Sequence, residues 1–200
     1  MNILEISSPE ARIVFFSPDT DVLVLALAHY EKLCKNTAIC MVSGTLEIEP
    51  IWNALGRDKA AALPVFHAFT GADTVGRFSG IGKTKWFQQY MKSDRDIISA
   101  LMKLTEEGIL TQEVKDTLAN FVCMVYCPKG IHITSIPDLR WHLFCKHLAE
   151  SSKLPPTVGA LEEHIERVRV QSRVWCQDTV MESFQSTQTY LFNCKWCIYI

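Results

Sequence analysis

An α/β fold is expected over residues 1–50, followed by a chain that is helical almost throughout. Three observations carry that expectation. Short β-branched and aromatic runs at 12–17 and 37–42 flank a helix-like segment, the order strand–helix–strand. After Pro50 the apolar residues recur at helical spacing rather than in alternation. Glycine and proline then punctuate the helical runs at Gly71, Gly108, Pro128 and Pro155-Pro156.

Arg12 to Ser17 is a buried strand, ended by Pro18. Asp21 to Lys35 reads as a helix, because its start is acidic and Lys32 and Lys35 lie near its end, as the helix dipole favours. Thr37 to Val42 is a second strand, closed by Ser43-Gly44. Short connections on both sides of the helix make the two strands parallel neighbours in a right-handed unit. Thr45 to Glu49 suits a short edge strand.

Beyond Pro50, helices are expected over Asp58 to Thr70 (bent at Pro64), Lys83 to Lys92, Asp94 to Thr105, Thr111 to Tyr126 and Pro137 to Ala149. Pro128 to Ser135 is a loop, and Ser151 to Pro156 reads as a linker. Thr157 to about Trp175 forms a last helix, with Val158, Leu161, Ile165 and Val168 at helix spacing. The stretch from Gln177 to Ile200 shows no period. The organisation expected is an α/β unit at 1–50, a helical region at 51–150, a linker and C-terminal helix at 151–176, and an unassigned tail at 177–200.

Bulk properties narrow the function. Hydrophobic residues make up 48% of the 200-residue chain and charged residues 21%, enough for a core of real size. The formal net charge of −2 gives no global field for nucleic acid, so any such binding has to come from a local patch. Glu5 and Glu10 interrupt the opening residues, which do not read as a signal peptide. The run Val22 to Ala28 is too short to span a bilayer. An intracellular protein, nuclear or cytoplasmic, is the expectation, with its eight cysteines as reduced thiols.

Asp19 and Asp21 follow directly after the first strand. In parallel α/β sheets that is where ligands sit. A spacing of two in extended chain turns both carboxylates to one side. Placed so close, they repel unless a cation lies between them, and hard oxygen donors with exchangeable water suit Mg²⁺ or Mn²⁺. Such ions activate water and stabilise the leaving oxygen in phosphodiester cleavage. The competing reading is simpler: Asp and Ser-Pro are good turn and helix-cap formers.

Gly80-Ile81-Gly82 lies between two helical runs, with Arg77, Lys83, Lys85 and Lys92 around it. Glycines there allow positive φ and close approach of another molecule, and the start of the Lys83 helix is a favourable place for a phosphate. The arrangement resembles a helix–hairpin–helix, which holds a nucleic-acid backbone without reading bases. An ordinary glycine turn with solvated lysines would look the same.

Taken together, strand–Asp-x-Asp–helix–strand, then Gly71-Ala72-Asp73, then Gly80-Ile81-Gly82, resembles the C-terminal half of the PIN-like domain of the flap-endonuclease and XPG nuclease superfamily. Within it, the chain is most similar to a group of transposon-like animal proteins. Their wording is matched by Ser17 to Leu25, by Leu63 to Thr74, and by Leu154 to Thr157 with His164 and Trp175. The resemblance implies Asp19, Asp21 and Asp73 as ligands of Mg²⁺ or Mn²⁺. It also implies backbone contacts to DNA from Gly80, Gly82, Lys83 and Lys85.

Two features depart from the family. Its first strand with an early Asp, and a Glu pair about one helix upstream of Asp-x-Asp, have no counterpart here; Glu5 and Glu10 are too near Asp19. The carboxylate set is therefore expected to be incomplete, and the open sheet edge to invite association. A degenerate or truncated metal-dependent nuclease with little or no hydrolysis is the leading expectation. The alternative is a non-catalytic nucleic-acid-binding or scaffold remnant of a mobile-element protein.

A rival metal set is Cys123-x₃-Cys127 with His142-x₄-His147, close to a two-Cys, two-His zinc spacing. Its cysteines fall in a helix-like run, whereas a zinc finger places them on a β-hairpin. A helical core holding two thiols is the reading favoured over zinc. Cys194-x₂-Cys197 in the tail is a weaker metal candidate. No nucleophile elbow, Walker loop or dinucleotide fingerprint occurs.

Overall fold

Strand β1 (Val14–Phe16) pairs in parallel with β2 (Ala38–Met41), Phe15 opposite Ile39, and helix α1 (Thr20–Ala28) makes the crossover. These come from a computed structural model, which describes residues 14–33, 37–41, 44–72, 74–146, 148, 150–176 and 198–199. The strand–helix–strand expectation holds. The helix is shorter than its sequence suggested: α1 stops at His29 and the chain continues as a 3₁₀ turn, Tyr30–Lys32. The run Val22 to Leu27 alternates β-branched and aliphatic residues and would suit a strand. The Ser-Pro-Asp start makes it a helix instead, because Asp19 caps its first turn.

Strand β3 (Gly44–Glu47) adds antiparallel to β2 and is the edge strand expected after Gly44. On the other side, β4 (Ile198–Tyr199) pairs antiparallel with β1 at Val14 and Phe15, giving the order β3-β2-β1-β4. This corrects one expectation: the β1 edge is not open, since β4 occupies its ladder groups.

Helix α2 (Ile48–Leu55) begins where the sequence suggested a break at Pro50. Proline is tolerated in a first helical turn, whose N–H groups have no intrahelical acceptor. The N–H of Ile48 donates to Thr37 O at 3.1 Å, so the helix starts directly off the sheet. Tyr30 and Trp52 close this region, with ring centroids 5.2 Å apart.

Helix α3 (Arg57–Thr70) runs through Pro64. The described chain divides at that proline into two compact units, one within Met1–Pro64 and Gln177–Ile200, the other Val65–Cys176.

The second unit holds α4 (Lys83–Lys92), α5 (Arg95–Met102), α6 (Gln112–Tyr126), α7 (Ile136–Cys145) and α8 (Val158–Cys176). Side-chain caps fix three of these starts: Asp94 accepts from Ile97 N, Thr111 from Val114 N and Ser135 from Asp138 N. The α4 bounds are those the sequence predicts. α7 ends four residues earlier than expected, where Leu148 N–H turns back to Leu143 O at 3.0 Å. The core centres on Phe69, which packs against Phe78, Trp86, Phe121 and the imidazole of His164 at centroid distances of 5.2 to 6.2 Å. Along α8, Leu161, Ile165 and Val168 are buried as their spacing predicts, while Val158 is exposed.

Candidate metal and nucleic-acid backbone sites

Ser17 N–H donates to Cys40 O at 3.1 Å and extends the β1–β2 ladder by one residue. Its hydroxyl then accepts from Asp19 N at 3.1 Å, and Asp19 Oδ1 accepts from Asp21 N at 3.0 Å. Both carboxylates therefore sit at the C-terminal end of β1, Asp19 exposed and Asp21 half-buried. Asp19 is extended (φ −89°, ψ 127°), the geometry of a helix N-cap. The cap uses one carboxylate oxygen and leaves the other to face solvent or a cation. Asp73 lies outside the described residues. Among those that are described, no group of three or more His, Cys, Asp or Glu side chains is arranged to hold a metal ion.

The segment between α3 and α4 spans residues 71–82 and is built by glycines with different tasks. Gly71 has φ +113°, and a Cβ there would stand 2.7 Å from Arg77 Cβ, so both conformation and space demand glycine. Gly80 has φ +73°, and a Cβ would meet Lys153 Cβ at 3.2 Å and Lys153 O at 3.3 Å. The close approach that Gly80 permits is thus made by this chain itself. Gly82 differs: φ is −80° and a Cβ there would meet nothing.

The residues read as a linker turn out to brace this turn. Ser151–Lys153 is a single 3₁₀ turn. Ser79 Oγ donates to Ser152 O at 2.6 Å, and Tyr126 OH donates to Ser79 O at 2.5 Å. Arg140 holds the following residues by donating to Pro155 O. Neither Tyr126 nor Ser152 stood out in the sequence. The signal for them was thin, since both partners lie far from Ser79 along the chain.

α4 starts without a side-chain cap and without an acidic residue in its first turn. Gly82, Lys83, Thr84 and Lys85 are all exposed. Gly82 O accepts from Lys85 N at 3.1 Å, while the N–H groups of Lys83 and Thr84 have no acceptor within the helix by its geometry. Lys83 Nζ lies 3.5 Å from His67 Nε2, and the His67 ring lies 5.9 Å from that of Trp175. His67 lies in the last turns of α3 and is thus a neighbour of Lys83. Arg77 is exposed in the preceding segment, and Lys92 is exposed at the far end of α4.

Of the zinc candidates, Cys123 is buried in α6 and Cys127 is its C-cap. Cys123 thus lies within the helix, while Cys127 follows it in extended conformation and is half-buried. Burial, reinforced by Cys127, pushes the Cys123 thiol up to about 12. Cys127 Sγ donates to Ile131 O at 3.2 Å. His142 is half-buried on α7, and His147, Cys194 and Cys197 lie outside the described residues. No helix among the described residues is long and apolar enough to cross a membrane. Comparison with protein-family models, curated proteins and solved structures gave no match.

Proposed function

We propose that this chain is a PIN-like nuclease relative whose working chemistry is grip on a nucleic-acid backbone, with little or no hydrolysis of its own. The carrying observation is the contrast between two glycines. Gly80 is accounted for by Lys153, whereas Gly82 opens α4 with empty space where a Cβ would stand. Beside that space are the first amides of α4, which have no acceptor within the helix, and the exposed Lys83 and Lys85. A phosphate is the group that such a helix start accommodates. Duplex DNA is the intended ligand, held without base readout.

The test is a salt titration of duplex binding by the full chain. Wild type should bind with an affinity that falls as salt rises. Lys83→Ala should reduce the slope of log K against log salt by about 0.9 for each phosphate that Lys83 neutralises. Chelator should change nothing. Binding that ignores salt removes the reading.

Metal-dependent hydrolysis is the second reading, supported by the position of Asp19 and Asp21 at the end of a parallel strand. Asp73 joins them on the resemblance alone. Cleavage of branched or single-stranded DNA that requires Mg²⁺ or Mn²⁺ and is abolished by Asp73→Ala would put this reading first.

A further inference from the structure

Ser151–Lys153 packs on the turn that precedes α4, and its place there is fixed at several points. Lys153 N–H donates to Glu150 O at 2.8 Å and closes the 3₁₀ turn. Ser79 Oγ donates to Ser152 O at 2.6 Å, Tyr126 OH donates to Ser79 O at 2.5 Å, and Arg140 donates to Pro155 O. Gly80 makes the approach possible, since a Cβ there would stand 3.2 Å from Lys153 Cβ and 3.3 Å from Lys153 O. The backbone of Lys153 is therefore set against Gly80, two residues before Gly82.

The side chain placed there is a cation. Lys153 Nζ lies 3.2 Å from Glu150 Oε2, and 56% and 73% of the two side chains are exposed. An ion pair that open to water holds its partners weakly, so a phosphate can take the ammonium from Glu150. Gly82 lies at most about 7 Å from Gly80 along the chain, a span that the four-carbon stem of lysine can cover. A fixed backbone carrying an exposed ammonium leaves little order to impose when a ligand arrives. With a net charge of −2 the chain has no general attraction for nucleic acid, so each cation at the turn counts. Lys153 is far from Lys83 in the sequence, and only the fold brings it to the same turn.

We propose that Lys153 is a further contact to the nucleic-acid backbone, supplied to the turn before α4 by the 150–153 segment. This rests on the nucleic-acid reading above and adds a residue to its site. Salt titrations of duplex binding by the full chain test it. Lys153→Gln removes the charge but keeps the Cβ that packs on Gly80. It should lower the slope of log K against log salt by about 0.9, and Lys153→Arg should keep the wild-type slope. Combined with Lys83→Ala, the two losses should add. Lys115→Gln is the charge-matched control, because Lys115 lies near the opposite end of α6 from Tyr126, roughly 16 Å away, and should leave the slope unchanged. A wild-type slope in Lys153→Gln, or a loss that Lys153→Arg shares, overturns the proposal and leaves the Lys83 contact standing. So does an equal loss in Lys115→Gln, which would mark net charge as the cause. Wild-type binding without salt dependence removes the nucleic-acid reading and this contact with it.

Discussion

The backbone N–H of Asp21 donates to Asp19 Oδ1 at 3.0 Å, so the first carboxylate of the acidic pair caps the helix that carries the second. The pair therefore has a structural task that needs no cation. Cap and ligand roles separate by substitution, because Asn caps a helix as well as Asp does but gives a cation no charge. Asp19→Ala should cost about 1 kcal/mol in denaturant unfolding and Asp19→Asn close to nothing. Calorimetric titration with Mn²⁺ should show any binding by the wild type abolished in both variants. Equal destabilisation by Asn and Ala would remove the cap account.

The glycines before α4 make a paired prediction. Gly71→Ala forces a side chain into positive φ and against Arg77, and should lower stability by roughly 2–4 kcal/mol. Gly82→Ala meets open space at an ordinary φ and should lower it by less than about 1 kcal/mol, the range of a helix-cap change. If a backbone phosphate uses that space, the same Gly82→Ala should weaken duplex binding several-fold. Urea unfolding and a DNA titration on the same two proteins read both effects. A Gly82→Ala protein that binds as wild type argues against phosphate contact there.

His164 gives the fold a pH dependence. Its Nε2–H donates to Phe69 O at 2.8 Å, and the ring packs at steep angles to Phe69 and Phe78. Burial lowers its pKa below the ordinary value; the Phe69 bond opposes the shift and Arg167 adds to it. The neutral ring is therefore the folded form. Between the unfolded value of about 6.5 and the lower folded value, the unfolded chain holds more protons, so stability falls with falling pH by up to about 1.4 kcal/mol per unit. Above about 6.5 this group contributes no slope. The urea midpoint should drop between pH 6.5 and 5.5 in wild type and drop less in His164→Gln, which keeps a donor for Phe69. Identical slopes would assign the pH dependence elsewhere.

Thiol chemistry separates Cys123 from Cys145. Cys123 is buried with its pKa raised to about 12, whereas Cys145 is exposed. Thiolate is the reactive form, so a maleimide at neutral pH should label Cys145 in the native chain and reach Cys123 only on unfolding. Mass mapping of labelled peptides reads the order. Native labelling of Cys123 as fast as Cys145 would mean that α6 opens readily.

Much of this architecture was legible from neighbouring residues. β1, α1 and β2 follow from two β-branched runs and a Ser-Pro-Asp break, and α4 from glycine before an amphipathic ten-residue run. α2 was missed because Pro50 looks like a stop; it is tolerated only because Ile48 and Glu49 place it in the first turn. The acidic pair was visible as a pair, but its use as a cap depends on the turn that Ser17 makes after pairing with Cys40.

What the sequence alone determined is where most of the helices and the first strands lie and which of their faces are apolar, since caps, turn formers and periodicity act within a few residues. What only the tertiary structure decided is which of two neighbouring glycines is committed to the fold. Gly80 is held against Lys153 and Ser79 bonds Ser152, partners 73 positions along the chain, while Gly82 is left open. The same long-range packing turned 151–156 from a linker into a brace and left Trp141 outside the core. Contacts of that separation arise from how helices stack, and no local pattern of residues encodes them.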